Sequence, residues 1–533
     1  MLDVLIQNAE IVDGTNSSRY KGDVAIEGDR IAHIGALKDA AARTVLDATD
    51  RVVVPGFIDM HSHADLSLLV EPEAESLVRQ GITTVVAGQC GLSPAPLTRK
   101  HREDTLQTLS MILPPEAAMP WDKMSSFDSY LDYLARTEMA VNVVPLVGEG
   151  MIRAAVMGYR ADRPSKDEMA QMQRLVQEAM DGGAFGISTG LIYPPGSFTS
   201  TEELVDVVRP AGERGGLYFS HLRSEAETFC EALGEAIEIG RRTGAAVQIS
   251  HLKAAGRDNW DQAPAALAMI DGAQAEGLDV TADMYPYTGG ATYVAALLPK
   301  WALEGGTRGL LRRLDLPEER ARIVEAMEAG EGGIVGRVEW DKVLIAGSEE
   351  RAYVGHAISD LAAKEGKEPL LWTLDALRAT SGNMAMVLLM MSEENVRMQL
   401  QHPAVMFCTD GLGVSAGGPL AKGIVHPRFF GTYPRIFGQY VREEGILSLE
   451  GASWKASGFP AQKLGLADRG VIREGCRADL VVFDPATVRD RATYAEPLRY
   501  PAGIGTVLVN GEVVVEEGGQ TRARPGRVIR RES

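Results

Sequence analysis

The chain has 533 residues, 45% hydrophobic and 24% charged, an ordinary globular composition that excludes long disorder, collagen-like repeats and coiled coil. Lysine and arginine total 54 against 73 aspartates and glutamates, a net charge of −19 that repels phosphate backbones and anionic lipid heads, so neither nucleic-acid nor membrane partners are expected. At ~150 residues per domain the length allows about three units, or equally one large barrel with appendages.

The opening MLDVLIQNAEIVDG has no basic segment leading into an apolar one, and no run of about 18 apolar residues occurs anywhere, so a soluble protein kept in the cytoplasm is expected. Four cysteines, Cys90, Cys230, Cys408 and Cys476, are scattered without CxxC spacing and fit a reducing compartment. Residues 1–56 alternate with period two in DVLIQNAEIVDG, GDVAIEGDRIAHIG and RTVLDATDRVVVPG, which predicts a small antiparallel sheet. Residues 466–533 repeat the style in CRADLVVFDP and GTVLVNGEVVVEEG, where Asn-Gly marks a two-residue hairpin. Both ends are expected to build one β-domain, a small β-sandwich.

Between them, in 57–465, eight short apolar runs alternate with helical segments: the run into FIDMHSH, then TTVVAG, NVVPLVG, GISTGL, LYFSHL, AAVQISHL, LDVTADMYPY and AVMFCTD. That rhythm predicts a parallel sheet wound by crossovers, and eight is the number of a (β/α)8 barrel. A charged, helix-rich interval at about 298–350 falls between the seventh and eighth runs and reads as an insertion.

A barrel gathers its active site at the C-terminal ends of its strands, so polar residues closing apolar runs are the candidates. His61 and His63 stand two apart, which on an extended strand turns both imidazoles to one face. His221 ends LYFSH, His251 ends VQISH and Asp410 ends AVMFCTD. Singly, each is explained as a capping or satisfied core residue; together they outline a metal site. Cys90, between glycines in AGQCGL, is either a thiolate ligand suited to zinc or a buried inert thiol. Asp410 is a candidate metal ligand, general base, or both. His33, His101, His356, His402 and His426 lack this placement, and the other three cysteines read as structural.

Taken in order, PGFIDMHSHAD, GQCGLSPAP, STGLIYPPGSF, SHLRSE, SHLKAAG, DMYPY, CTDG, HPRFFGTYPR and RADLVVFDPATVRDRATY resemble the D-aminoacylase, or N-acyl-D-amino-acid deacylase, family of the amidohydrolase superfamily along nearly the whole chain. The resemblance implies a zinc centre of one or two ions, with Cys90, His221 and His251 at one position and His61, His63 and Asp410 at the other. It implies hydrolysis of an N-acyl-D-amino acid, or of an L,D-dipeptide, with Asp410 moving the proton. Lys253, Arg428, Tyr285 and Tyr193 are the residues it implies at the substrate's α-carboxylate. His426 is expected to be structural. Two features depart from or vary within the family pattern: Glu149 stands in VGEGMIR where relatives carry a histidine, and the segment around Trp301 is long.

Competing readings remain on the same scaffold. Cyclic amidases bridge their metals with a lysine from the fourth strand, which here reads GISTGL without one. A deaminase would use one metal and a helper glutamate, a part open to Glu225, but would have no need of Cys90. A catalytically dead binding barrel would have no reason to keep all six candidate ligands.

Overall fold

A computed structural model of the protein describes residues 1–37, 40–109, 119–423 and 426–532. The eight apolar runs all form strands, labelled here β1 (Phe57–Ser62), β2 (Ile82–Ala87), β3 (Asn142–Pro145, resuming as Val147–Gly148), β4 (Gly186–Gly190), β5 (Leu217–His221), β6 (Ala246–Ile249), β7 (Val280–Met284) and β8 (Val405–Phe407). Every neighbouring pair is parallel, from β1–β2–β3 through β4 to β8. The ring closes where β8 returns to β1: Ser62 bridges Gly411 in parallel, Asp410 donates its N–H to the His61 carbonyl at 2.9 Å, and His63 donates to the Gly411 carbonyl at 2.8 Å. Ile58 and Met60 of β1 share a cluster with Phe219 of β5 and Met406 of β8, which strands on opposite sides can do only through the interior. The barrel is therefore a packed core and not a pore.

Crossover helices cover the outside and begin where the sequence supplies caps. Ser165 and Glu168 form a reciprocal capping box at Lys166–Asp181, and Ser200 and Glu203 do the same at Thr201–Glu213. No helix among the described residues is long and apolar enough to cross a membrane.

Strands from both termini join one nine-stranded sheet. Its seam is the antiparallel pairing of Val52–Pro55 with Leu480–Phe483, and Val4, Ile6, Val24, Val53, Leu480 and Leu508 pack its core. The expected hairpin is present, with Asn510 and Gly511 both at positive φ (47° and 83°) as a primed turn requires.

Between β7 and β8 stands a layer with its own core. Strands Gly289–Tyr293, Val343–Ser348 and Met384–Leu389 form an antiparallel sheet with the last in the middle, packed against helices that include Gly306–Asp315 and Pro317–Glu328. This layer roofs one side of the barrel mouth.

Candidate metal centre

All six candidate donors meet at the C-terminal mouth. His61 lies on β1 and His63 one residue past its end; His221 is the last residue of β5. The other three sit just beyond their strands in left-handed backbone, Cys90 at φ 55°, His251 at φ 35° and Asp410 at φ 47°. Such conformations cost a non-glycine residue about 1–3 kcal/mol each and persist only where the surroundings enforce them. Two glycines do the enforcing at Cys90. Gly88 turns the chain at φ 92°, where any side chain would strike the Leu146 carbonyl, and the bare Gly190 lets the Cys90 carbonyl lie against β4.

The Cys90 sulfur stands 3.3 Å from His61 Nε2, 3.4 Å from His221 Nδ1 and 3.6 Å from His251 Nε2. Asp410 Oδ1 stands 3.5 Å from both His61 Nε2 and His63 Nε2. His61, Cys90 and His251 can offer ligand atoms to one ion, and so can His61, His63 and Asp410. His61 is thus common to both sets. Burial pushes the Cys90 thiol well above its ordinary range and the His61 and His221 rings well below theirs. The imidazoles therefore present neutral lone pairs, while a thiolate needs a cation beside it to exist there. His61 Nδ1, His63 Nδ1 and His221 Nε2 are buried without hydrogen-bond partners. Nitrogen, sulfur and carboxylate donors converging in this way suit a borderline-soft ion such as zinc.

Burial opposes ionisation of Asp410, but the Arg428 guanidinium beside it, helped by a hydrogen bond from His63, holds the carboxyl well below its usual range. Arg428 Nη1 pairs with Asp410 Oδ2 at 2.8 Å, and its guanidinium lies 4.6 Å over the Tyr285 ring. Lys253 is equally engaged: its ammonium is 2.6 Å from Glu225 Oε1 and 2.7 Å from His251 Nδ1. Tyr193 places its ring edge-on to His221 at 5.1 Å and hydrogen-bonds Thr292 through its hydroxyl at 3.0 Å. Both cations and both tyrosines line a cavity of about 170 Å³ over the donors.

Glu225, first read only as a deaminase's helper, is a supporting carboxylate. Its Oε1 lies 3.1 Å from His251 Nδ1 and the Lys253 ammonium 2.7 Å from the same nitrogen, so the pair braces the ring whose Nε2 faces Cys90. Asp283 was missed: it accepts from the His251 N–H at 2.8 Å and from Gln248 at 2.7 Å. The signal for it was a carboxylate inside the apolar run VTADM, which burial without a partner would forbid. Asp59, another acid within an apolar strand, accepts from the Thr409 N–H at 2.8 Å and fixes the turn into Asp410; burial pushes its carboxyl to about 7.

The remaining singled-out residues fall elsewhere. His426 uses both nitrogens structurally, Nε2 at 2.7 Å from the Gly289 carbonyl and Nδ1 accepting from the Arg428 N–H. Glu149 is buried behind the Cys90 loop and accepts from Thr199 at 3.0 Å. Trp301 does not line the cavity; Arg322 covers its ring at 4.0 Å.

A profile described as the amidohydrolase family matches residues 44–270 and 419–515. A D-aminoacylase of Alcaligenes xylosoxydans xylosoxydans is 36% identical over 99% of this chain and 98% of its own length. An N-acyl-D-aspartate deacylase of the same organism is also 36% identical, over 99% of this chain and 95% of its own. The solved N-acyl-D-glutamate deacylase of Bordetella bronchiseptica, complexed with zinc and a phosphonate mimic of the tetrahedral intermediate, superposes with a TM-score of 0.84 at 34% identity over 99% of both chains. With the closed eight-stranded ring and the donors at its mouth, these likenesses place the chain: it belongs to the amidohydrolase family, in the branch of D-aminoacylases and N-acyl-D-amino-acid deacylases.

Proposed function

We propose that this chain is a zinc-dependent hydrolase that cleaves the amide bond of N-acyl-D-amino acids, a class that takes in L,D-dipeptides, to a carboxylate and a free D-amino acid. The observation that carries the reading is the meeting of Cys90 with three imidazoles, 3.3–3.6 Å away, beside a carboxylate held ionised by an arginine. Cys90, His221 and His251 would hold one ion, and His61, His63 and Asp410 a second. Zinc bound there supplies a Lewis acid for the amide carbonyl and makes an attacking water more acidic.

The protein's own groups do the rest. Asp410 takes a proton from the water as its oxygen adds to the carbonyl carbon, then returns that proton to the nitrogen as the C–N bond breaks. Arg428 has a buried, unpartnered Nε and a guanidinium fixed over Tyr285, so it offers a preset donor for the substrate's α-carboxylate. Lys253, neutralised by Glu225, holds His251 in place and contributes a weaker pull on the same carboxylate. Glu225 Oε1 is thereby engaged by Lys253 and His251, which argues against its serving as a deaminase's helper acid. Four unpaired cysteines support a cytoplasmic setting.

The test is amine release by zinc-loaded enzyme from N-acetyl-D-methionine and its L enantiomer. Release from the D compound alone is expected. Equal release from both enantiomers would overturn the reading, as would silence on the D-methionine, D-aspartate and D-glutamate derivatives together with zinc content verified.

A further inference from the structure

The relatives divide by side chain. At 36% identity each, one is named a D-aminoacylase and another an N-acyl-D-aspartate deacylase, and the solved relative is an N-acyl-D-glutamate deacylase. Overall similarity does not choose among them; the cavity does.

An acidic substrate brings two carboxylates, one on the α-carbon and one on the side chain, whereas an apolar substrate brings one. Among the described residues lining the cavity, the only lysine or arginine cations are Lys253 and Arg428. Each already faces a carboxylate, Lys253 with Glu225 at 2.6 Å and Arg428 with Asp410 at 2.8 Å. The α-carboxylate claims what remains of Arg428. No cation is left for a second anion.

One wall comes from the layer between β7 and β8, and it is largely apolar: Ile334, Met386, Leu388 and Met390, all buried, beside Ala291, Thr292 and Tyr293. Gly290 belongs to its construction, since a Cβ there would collide with Met390 Cε. Two methionines in one wall give a surface that repacks around apolar groups of different shape. A carboxylate set against it would be stripped of water with no cation in return, only the Thr292 and Tyr293 hydroxyls being near.

Building on the deacylase reading, we propose that this enzyme takes substrates whose D-residue carries an uncharged, apolar side chain, and that Ile334, Met386, Leu388 and Met390 are the specificity-determining residues that exclude N-acyl-D-aspartate and N-acyl-D-glutamate. Removing a side chain's charge at nearly constant shape isolates the effect, so the panel pairs N-acetyl-D-leucine with the asparagine and aspartate derivatives, and methionine with glutamine and glutamate.

For the zinc-loaded enzyme, kcat/KM for leucine and methionine should exceed that for aspartate and glutamate by on the order of 10²-fold or more, with the neutral amides between. Aspartate or glutamate within tenfold of its neutral amide would overturn the proposal while leaving the deacylase reading intact. Silence across the whole panel, zinc verified, would overturn that reading and the proposal with it. In a folded, zinc-replete Leu388→Arg enzyme the glutamate-to-glutamine ratio should rise at least tenfold, and an unchanged ratio would remove the wall from its role. Should that variant not fold, the native panel decides alone.

Discussion

Glu225→Gln tests the electrostatics of the centre most directly. The Glu225 and Lys253 side chains are 2% and 3% exposed and meet at 2.6 Å, so the pair is fully desolvated. Removing one partner of a buried pair strands the other and costs about 3–5 kcal/mol. Glu225→Gln leaves the Lys253 ammonium with only neutral acceptors, the new amide and His251 Nδ1, and Lys253→Met leaves the Glu225 carboxylate with only His251 in the same low-dielectric site. The double variant buries no net charge, and its loss should fall short of the two single losses added together by at least about 2 kcal/mol. Urea midpoints at pH 7 for the zinc-loaded proteins give the cycle.

The pH dependence carries the same sign. Burial alone would raise the Glu225 carboxyl, but Lys253, His221 and His251 hold it well below its ordinary range. Its folded pKa is therefore below its unfolded value of about 4.3. Its contribution is present above that value and is lost as pH falls through it towards the folded pKa. Glu225→Gln should flatten the acid limb of the native stability curve below about pH 4. Single losses under about 1 kcal/mol, or an additive double variant, would refute this account of a buried, strongly coupled pair.

Three further perturbations separate the roles at the centre. Asp410→Asn should keep the circular dichroism spectrum and the zinc held by Cys90, His221 and His251 while lowering kcat on the order of 10²–10⁴-fold; an active variant would remove Asp410 from proton transfer. Cys90→Ser should lower the zinc content per chain measured by atomic emission, and an unchanged content would mark the thiol as a bystander. Gly190→Ala drives a Cβ into the Cys90 carbonyl oxygen, so it should cost roughly 1–3 kcal/mol and release zinc as the loop shifts; a fully zinc-loaded, equally stable protein would show that the loop's position is not set by β4.

Much of this was legible in the sequence because the barrel imposes a simple rule. Each of the eight apolar runs is bounded by turn chemistry, and each became a strand; the residues that closed those runs became the mouth. Chain ends 400 residues apart still declared themselves as one sheet, since period-two alternation and an Asn-Gly turn are local signals. The pairings across the mouth were not legible. Nothing local in SHLRSE and SHLKAAG says that Glu225 and Lys253 meet, because that contact depends on the parallel register of β5 against β6. The sheet between β7 and β8 was hidden for a different reason: GGATY is rich in glycine and MAMVLL in methionine, so neither shows the alternation that marks a half-buried strand.

That hidden layer explains how relatives equally similar to this chain can differ in substrate. The candidate donors, Asp410 among them, stand on or just past β1, on β5 and in the turns after β2, β6 and β8, braced by the ring's own hydrogen bonds. The selecting side chains Ile334, Met386, Leu388 and Met390 come from, or border, a sheet whose apolar residues pack in a separate cluster with Leu297, Ile345, Trp372 and Leu377. That cluster meets the barrel mouth through Ile192, Ala255, Tyr285 and Cys408, none of them a candidate donor, so a substitution in the wall is taken up first among its own side chains. Chemistry and selection therefore rest largely on different side chains. The charge presented to the substrate's side chain can change in the roof while the centre that cleaves the amide keeps its geometry.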